Sequence, residues 1–389
     1  MAADVGHGPL TTLPKPSLTF TVPSLHDGLP IDCRVYHPHS LAASPDAPSW
    51  QKHAAIIAHP YAPLGGCYDD PIVDIVASTL LRLGFLVGTF NFRTSWTAKA
   101  ERADYMSVVG FVSHYVHFLD PFKQGLPSRP ASASRDDGVV EAGGRVQSKI
   151  RIRPPTPTSP EPASSAARPI LLLGGYSYGS MITSQLPALE TIVAVFKTPE
   201  CGTHAAEVRL RAQHLAEMQN TVLASARAAA ADHLRPMSPR KHVGLRVGGD
   251  EENRKSHEFR RSLSAEFEET IRHGVAELMA RTRKGHKWSH KSATGKSLEP
   301  TALARTVSPE AEDKLVQNST LAIYGDRDGF VPVRKLRDWA SRLEAMQGSK
   351  FRAHEVSSAN HFWAQRNVAS TLREAVRSFA ASLLDGKIS

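Results

Sequence analysis

The chain has 389 residues, of which 41% are hydrophobic and 22% are charged. This apolar share is sufficient for a packed core and excludes a chain that is disordered throughout. The 27 prolines and 26 glycines gather in particular stretches, which predicts sizeable segments outside that core. Three widely spaced cysteines, Cys33, Cys67 and Cys201, form no CxxC pair and have no histidine at zinc-ligand spacing, so neither disulfide bonds nor a structural zinc site is expected.

The formal net charge is +9, with 47 Lys and Arg residues against 38 Asp and Glu residues. Much of this excess falls in residues 281–296, which contain no acidic residue and only one aromatic ring for stacking, Trp288. We interpret this stretch as a solvated basic loop and expect no nucleic-acid partner. The sequence has no apolar run of about 18 residues and no signal-peptide pattern, so we predict a cytoplasmic protein without a transmembrane segment.

The first part of the chain is predicted to alternate between strands and helices. Residues 54–58, AAIIA, are predicted to form a buried strand, and residues 170–173 lack polar alternation, which is typical of a central parallel strand covered on both faces. The loop at 59–70 follows and contains Asp69 and Asp70, either of which can cap the next helix. The predicted elements are strands at 17–22, 31–36, 54–58 and 85–92, and helices at 71–83 and 105–119.

Two insertions interrupt this alternation. Residues 123–168 are rich in Pro, Ser, Ala, Gly and Arg and offer no apolar face, which predicts a disordered surface segment. Residues 198–318 are predicted to be a basic, partly helical insertion or a lid, with helices at 205–234 and 258–282. The remaining predicted elements are strands at 170–173, 192–196, 320–324 and 351–356, and helices at 333–345 and 368–384.

The length alone would allow two or three domains. Strands that alternate with helices over the whole chain instead predict a single α/β domain over residues 1–389, with a mostly parallel central sheet flanked by helices. The two insertions would project from this domain. Active sites in such sheets lie at the carboxyl ends of the strands, so polar residues just beyond strand ends are the candidates for function.

A tight turn follows the predicted strand at 170–173. Gly175, Ser177 and Gly179 fit the pattern G-x-S-x-G. Glycine is needed on both sides of the serine because a Cβ there would clash as the chain turns from strand into helix. The pattern therefore predicts that Ser177 is held at the tip of the turn as a nucleophile, with the backbone N–H of Tyr178 pointing toward the group it attacks.

Two more residues complete a catalytic order along the chain. Ser177, Asp328 and His361 each follow a predicted strand, in the order nucleophile, acid and base. A serine hydroxyl is a poor nucleophile near pH 7, so an imidazole must take its proton and a carboxylate must fix the imidazole tautomer. Asp326 is the alternative acid, but it directly follows Gly325 and is better placed to brace the turn.

These residues resemble the α/β-hydrolase superfamily. The loop HPYAPLGGCYDD at 59–70 resembles the His-Pro-His-Pro-x-x-Gly-Gly-x-x-Asp loop of a bacterial and fungal branch of intracellular serine hydrolases near the dienelactone-hydrolase and prolyl-oligopeptidase groups. FNFR at 90–93 resembles the Asn-Phe-Arg-Gly motif of that branch, and residues 325–328 and 360–362 match its Gly-x-x-Asp and Asn-His-Phe motifs. The resemblance covers residues 17–120, 169–197 and 319–386 and leaves both insertions outside it.

The resemblance implies an oxyanion hole made by the backbone N–H groups of Tyr178 and Tyr61. The chain departs from the pattern at two positions, because Tyr61 replaces the second His of the loop and Thr94 replaces the Gly after Arg93. These departures put the substrate preference of that branch in doubt for this chain. Cys67 is interpreted as a small buried filler rather than a nucleophile, because no His lies at a motif spacing from it.

The resulting prediction is a carboxylesterase-like serine hydrolase that cleaves a small-molecule ester through an acyl-enzyme. No cofactor is expected, because the chain has no G-x-x-x-x-G-K-[ST] loop and Gly248-Gly249 lacks the glycine spacing of a dinucleotide site. An amide or peptide bond is the alternative substrate, since the same triad cleaves both. The alternative from another class is an inactive hydrolase fold used for binding.

Overall fold

The computed structural model describes residues 13–44, 46–62, 65–93, 98–122, 168–234, 309–365 and 367–386. The predicted helix at 258–282, the basic stretch at 281–296, Thr94 and all of the first insertion except Arg168 lie outside these residues. None of the described helices combines the length and the apolar character needed to cross a membrane.

Strands and helices alternate in two parts of the described chain, at 54–184 and 320–384, whereas the first three strands follow one another and three described helices separate these two parts. The strands are β1 (Leu18–Pro23), β2 (Pro30–Tyr36), β3 (Ala54–Ala58), β4 (Leu86–Asn91), β5 (Leu171–Gly175), β6 (Thr320–Gly325) and β7 (Phe351–Val356). The helices are α1 (Pro71–Arg82), α2 (Lys99–Phe118), α3 (Tyr178–Ser184), α4 (Leu189–Lys197), α5 (His204–Leu234), α6 (Pro309–Gln317), α7 (Val333–Glu344) and α8 (Val368–Leu384), with a short 3-10 turn at His39–Leu41.

Five strands form one sheet in the order β1-β2-β4-β3-β5. β3 pairs in parallel with both β4 and β5, whereas β2 pairs antiparallel with β1 and β4 at the edge of the sheet. β6 and β7 form a separate parallel pair. The carboxyl ends of β3, β4 and β5 therefore share one edge of the larger sheet, where a site is expected in an α/β fold.

Helices cover both faces of the five-stranded sheet. All five residues of β3 are buried, and they alternate between two core clusters because successive side chains of a strand point to opposite faces. Ala54, Ile56 and Ala58 pack into the cluster that contains residues of α2, α3, α4 and α5. Ala55 and Ile57 pack into the cluster that contains residues of α1 and α8. The buried strand predicted from AAIIA is thus confirmed. The prediction that 170–173 form a central strand covered on both faces is wrong, because β5 is the last strand of the five-stranded order and its residues are only partly buried.

The strand predicted at 192–196 is wrong, because these residues belong to helix α4. Ile192 and Phe196 are both fully buried, and a spacing of four residues puts them on one face of a helix as readily as on one face of a strand. Val195, between them in sequence, is 40% exposed. The Phe196 ring packs so closely on Gly110 of α2 that a Cβ there would lie 2.3 Å from it. Packing against α2 thus resolves an ambiguity that a five-residue apolar run leaves open.

Helix α2 begins at Lys99, six residues before the helix predicted at 105–119. Its first turns contain two fully buried acids, Glu101 and Asp104, which break the apolar pattern in the sequence. A buried carboxylate costs free energy unless it is hydrogen-bonded. Asp104 meets this need, since it accepts hydrogen bonds from Arg93 Nε (3.0 Å) and Ser24 Oγ (2.5 Å). The early start of α2 is therefore stabilised by contacts from other parts of the chain.

Helix α5, the first helix predicted in the second insertion, packs into the core. Val208, Ala212 and Ala216 recur every four residues and are fully buried in the cluster that contains α2 and β1. Further along, Lys314 of α6 donates hydrogen bonds to the carbonyls of Thr183, Ser184 and Leu186 at the end of α3. The two described ends of the insertion are thus attached to the domain, and residues 235–308 between them lie outside the described part of the chain.

Candidate active site

The turn between β5 and α3 is as tight as the sequence predicts, and it leaves no room for a Cβ at Gly175 or Gly179. Ser177 has φ 53° and ψ −118°, a left-handed backbone conformation that is strained for a residue with a Cβ. A Cβ on Gly179 would lie 2.5 Å from the His59 carbonyl oxygen, and one on Gly175 would lie 2.3 Å from the carbonyl carbon of Gly179. The turn is therefore packed directly on the end of β3 by backbone atoms.

Ser177, His361 and Asp328 lie together in one hydrogen-bonded chain. The Ser177 Oγ atom is 2.7 Å from His361 Nε2, and His361 Nδ1 is 2.8 Å from Asp328 Oδ2. Because a carboxylate only accepts, His361 donates from Nδ1 to Asp328, which leaves Nε2 as the acceptor for the Ser177 hydroxyl. The side chains of His361 and Asp328 are 17% and 13% exposed, so these hydrogen bonds are largely screened from solvent, yet both side chains can still be reached from solvent.

The carboxylate of Asp328 is held by the backbone that follows it. Its Oδ1 atom accepts hydrogen bonds from the N–H groups of Phe330 (2.7 Å) and Val331 (3.1 Å). Burial acts to raise the pKa of Asp328, but the hydrogen bond and charge of His361 and these two N–H groups outweigh it and hold the pKa below its usual value. Asp328 therefore stays ionised at neutral pH and faces the imidazole.

Asp326, the alternative acid, points elsewhere. Its Oδ1 atom accepts a hydrogen bond from the Ser358 N–H at 2.7 Å, and its own N–H donates to the carbonyl of Val356. Both contacts join the end of β6 to the turn after β7. Asp326 thus braces the loop that carries His361, whereas the structure brings Asp328 against the ring itself.

Three aromatic residues position the histidine. The Tyr176 hydroxyl donates a hydrogen bond to the backbone carbonyl of His361 at 2.6 Å. The Phe330 ring lies 4.4 Å from the imidazole, centroid to centroid, and the Phe362 ring lies 5.4 Å away, nearly perpendicular to it. Tyr176 occupies a variable position of G-x-S-x-G, so the motif gives no signal for its role.

His59 fixes the loop that carries Tyr61. The Phe92 N–H donates to His59 Nε2 at 3.1 Å, so the proton of the neutral ring is on Nδ1, which donates to the Pro60 carbonyl at 2.5 Å. Burial lowers the pKa of His59 to about 4, although the hydrogen bond from Nδ1 to the Pro60 carbonyl acts to raise it. His59 therefore stays neutral, ties the end of β3 to the end of β4 and orients the chain entering Tyr61.

Tyr61 and Tyr178 are neighbours at the carboxyl end of β3. Their ring centroids are 5.2 Å apart at an interplanar angle of 64°, and Phe92 lies 5.8 Å from Tyr178. Cys67, predicted to be a buried filler, is only half-buried. Burial raises the pKa of its thiol, which disfavours the nucleophilic thiolate. In the described part of the chain, no group of three His, Cys, Asp or Glu residues is arranged to bind a metal ion.

Asp70 is a partly buried carboxylate at the start of α1. Of the two candidate caps, it is the one that caps α1, accepting hydrogen bonds from the N–H groups of Ile72 (2.8 Å) and Val73 (3.4 Å). Asp69 instead pairs with Arg34 at the surface. Burial raises the pKa of Asp70 to about 6, despite the opposing effects of the two N–H groups and the charge of His361.

Replacement of Asp70 by Asn is expected to stabilise the protein at alkaline pH. Because its pKa is raised from 3.8 to about 6 in the folded state, the folded state binds more protons between these values, and stability falls as the pH rises through this window. Asn keeps an acceptor for the helix cap without a buried charge. We expect the Asp70→Asn free energy of unfolding to exceed that of the wild type by about 3 kcal/mol at pH 8 and the difference to vanish below pH 4.

Urea unfolding at pH 4, 6 and 8 measures this difference. Asp69→Asn is the matched control, because it removes the same formal charge from a side chain that is 64% exposed. A stability difference for Asp70→Asn that is the same at all three pH values would contradict a raised pKa at this carboxyl.

Comparisons with known proteins add little beyond the architecture. No protein-family model and no curated protein sequence matches the chain. Similar solved structures include an α/β serine hydrolase homologue from Coxiella burnetii (12% identity, TM-score 0.39, covering 94% of this chain and 99% of that chain) and Est1E from Butyrivibrio proteoclasticus (12% identity, TM-score 0.42, 94% and 99%). XC6422 from Xanthomonas campestris, an α/β serine hydrolase, is 15% identical with a TM-score of 0.40, covering 96% of this chain and 97% of its own.

The strand order, the helices on both faces and the strained serine turn decide the architecture. The chain has an α/β-hydrolase fold. The TM-scores of these three structures are all below 0.5, so the similarity shows nothing of the chemistry of this chain. In this hydrolase fold the side chains of Ser177, Asp328 and His361 follow β5, β6 and β7, and they meet at the carboxyl ends of these strands.

Proposed function

We propose that this protein is a serine hydrolase that cleaves a carboxylic ester through an acyl-enzyme. The observation that carries the proposal is the continuous hydrogen-bonded chain from Ser177 Oγ through His361 to Asp328, with distances of 2.7 and 2.8 Å. Both distances are within the range that proton transfer requires. The strained backbone of Ser177 further supports a catalytic role, because such strain concentrates at functional sites.

In the proposed reaction, His361 Nε2 takes the proton of Ser177 as Oγ attacks the ester carbonyl. The tetrahedral oxyanion is stabilised by the backbone N–H groups of Tyr178 and Tyr61. The imidazolium then gives its proton to the leaving alcohol, and the acyl group stays on Ser177. Water, deprotonated by the same nitrogen, hydrolyses the acyl-enzyme. Throughout, Asp328 keeps the proton of the ring on Nδ1 and stabilises the imidazolium.

Labelling with a fluorophosphonate tests the proposal directly. We expect covalent labelling of the wild-type chain and none of Ser177→Ala. Labelling of His361→Ala should be strongly slowed, because the rate of attack by Ser177 depends on the base. Ser184→Ala is the matched control, since it removes a hydroxyl from the other end of α3. A folded wild-type chain that is not labelled would overturn the proposal and favour a binding role for the fold.

A series of nitrophenyl acyl esters and the matching anilides then defines the substrate. We expect hydrolysis of esters with an optimum in acyl chain length, and little turnover of anilides. Faster turnover of the anilides at equal acyl length would reassign the protein to amide hydrolysis with the same three residues.

A further inference from the structure

Two large aromatic side chains beside the triad are partly exposed. Phe330 is 39% exposed and Phe362 is 36% exposed, which is more than the side chains of His361 and Asp328. Large apolar side chains that are exposed singly are common on protein surfaces and need no explanation. These two are not single, because their rings contact each other edge to face at 5.9 Å, centroid to centroid. They therefore form one apolar area, which we call the phenylalanine surface.

The phenylalanine surface adjoins the imidazole of His361. The Phe330 ring is 4.4 Å from the His361 ring at an interplanar angle of 48°, and the Phe362 ring is 5.4 Å from it at 86°. His361 Nε2 faces Ser177, so in the proposed reaction the leaving oxygen must lie within about 3 Å of that nitrogen to receive its proton. The first carbon atoms of the leaving alcohol are thereby brought next to the imidazole and its two aromatic neighbours.

In the proposed reaction, different parts of the fold bind the carbonyl oxygen and the leaving alcohol. The proposed oxyanion donors, the N–H groups of Tyr61 and Tyr178, follow β3 and β5 of the five-stranded sheet. Phe330 and Phe362 follow β6 and β7, which form the separate strand pair. The alcohol is bonded to the oxygen that takes a proton from His361, and His361 also follows β7. The carbonyl oxygen thus points toward the larger sheet and the alcohol toward the strand pair.

The main chain holds both phenylalanines in place. The N–H groups of Phe330 and Val331 donate to Asp328 Oδ1 at 2.7 and 3.1 Å. The Phe362 N–H donates to Asn360 Oδ1 at 3.0 Å. Because these donors belong to the backbone, truncation of either ring leaves the hydrogen bonds available and changes the apolar surface.

We infer that the phenylalanine surface binds the alcohol part of the ester and selects substrates whose alcohol is apolar, aromatic alcohols above all. The inference rests on the proposed function and names the substrate class of the same site. Burial of apolar area is favourable, and an aromatic group gains further from edge-to-face or offset contacts with the rings. The two rings offer no hydrogen-bonding group, so a polyol such as glycerol or a sugar would lose hydration there without gaining a partner.

The experiment measures kcat/KM for the butyrate esters of methanol, butanol and benzyl alcohol. All three esters form the same butyryl-enzyme, so differences in kcat/KM report the alcohol. Methanol and benzyl alcohol have similar acidity, so their leaving-group chemistry is matched. An added apolar group in a hydrophobic pocket changes kcat/KM about 10- to 200-fold, and we expect the wild type to prefer benzyl butyrate over methyl butyrate about 50-fold.

Phe330→Ala and Phe362→Ala are each expected to lower this preference about 10-fold. Phe330→Leu and Phe362→Leu keep an apolar side chain and should keep most of the preference for butyl over methyl butyrate. Damage to the triad alone would slow all three esters by the same factor. The ratio therefore separates selection of the alcohol from positioning of His361.

Met346→Ala is the matched control. Met346 is 37% exposed, like the two phenylalanines, but it lies in the turn that leads into the amino end of β7, whereas His361 follows the carboxyl end. This variant should keep the wild-type preference. Methyl esters of acetic, butyric and hexanoic acid, measured on all variants, should keep their wild-type order, since the acyl part does not contact the phenylalanine surface.

The outcomes distinguish the inference from the proposed function. If the wild-type chain hydrolyses none of the esters and is not labelled by a fluorophosphonate, both fail. If the wild type is active and the benzyl-to-methyl ratio is the same in Phe330→Ala and Phe362→Ala, only the inference is overturned. A changed acyl preference with an unchanged alcohol preference would also overturn it and assign the phenylalanine surface to the acyl chain.

Discussion

Replacement of Asp328 by Asn is expected to lower kcat for an ester by about 10,000-fold. The Oδ1 position accepts two backbone N–H groups, from Phe330 and Val331, so the oxygen of an Asn side chain would occupy it. The amide NH₂ would then face His361 Nδ1, which must become an acceptor. The ring proton would move to Nε2, and that nitrogen could no longer take the proton of Ser177.

The matched control is Asp326→Asn, two residues away in the same turn. It weakens the hydrogen bond from the Ser358 N–H but leaves the tautomer of His361 unchanged. We expect a loss of stability of about 1 kcal/mol and little change in kcat. Steady-state kinetics and circular dichroism on both variants measure these effects. Loss of activity in Asp326→Asn, with activity retained in Asp328→Asn, would reassign the acid.

Replacement of Gly179 by Ala is expected to destabilise the fold by about 3 kcal/mol. Its Cβ would lie 2.5 Å from the His59 carbonyl oxygen and 2.6 Å from that of Ala58. Both are backbone atoms of the central strand and its end, so α3 must move away from β3. Such a shift would carry Ser177 Oγ away from His361 Nε2, and a displacement of about 1 Å can lower the rate about 100-fold.

Thermal unfolding and the rate of fluorophosphonate labelling measure the two effects. Gly202→Ala is the control, because no atom lies within 4 Å of a Cβ there and only its positive φ of 80° costs free energy, about 1 kcal/mol. If the folded Gly179→Ala protein were labelled at the wild-type rate, close packing of the turn on β3 would not be what aligns Ser177.

Much of the fold follows from local patterns. The buried strand β3 and the serine turn are encoded within a few residues each, because an apolar run and a pair of flanking glycines restrict the chain locally. The order of Ser177, Asp328 and His361 likewise identifies the three side chains that the structure brings together. These features depend on residue type and spacing, which a single sequence contains.

Other features depend on contacts between distant parts of the chain. The spacing of the apolar residues at 192–196 fits one face of a strand and one face of a helix equally well. The packing of Phe196 against Gly110 decides for the helix. Glu101 and Asp104 look like surface acids in the sequence, yet folding buries both completely.

The sequence by itself thus determined the architecture and the candidate triad. The reason is that steric restriction of the backbone and the spacing of apolar residues both act within a single strand, helix or turn. The sequence favoured Asp328 over Asp326 as the acid, and the tertiary structure decided the choice, since it brings Asp328 against His361 and Asp326 against the Ser358 N–H. It also decided that Tyr176 supports the site, because the carbonyl that accepts from its hydroxyl belongs to His361, far along the chain.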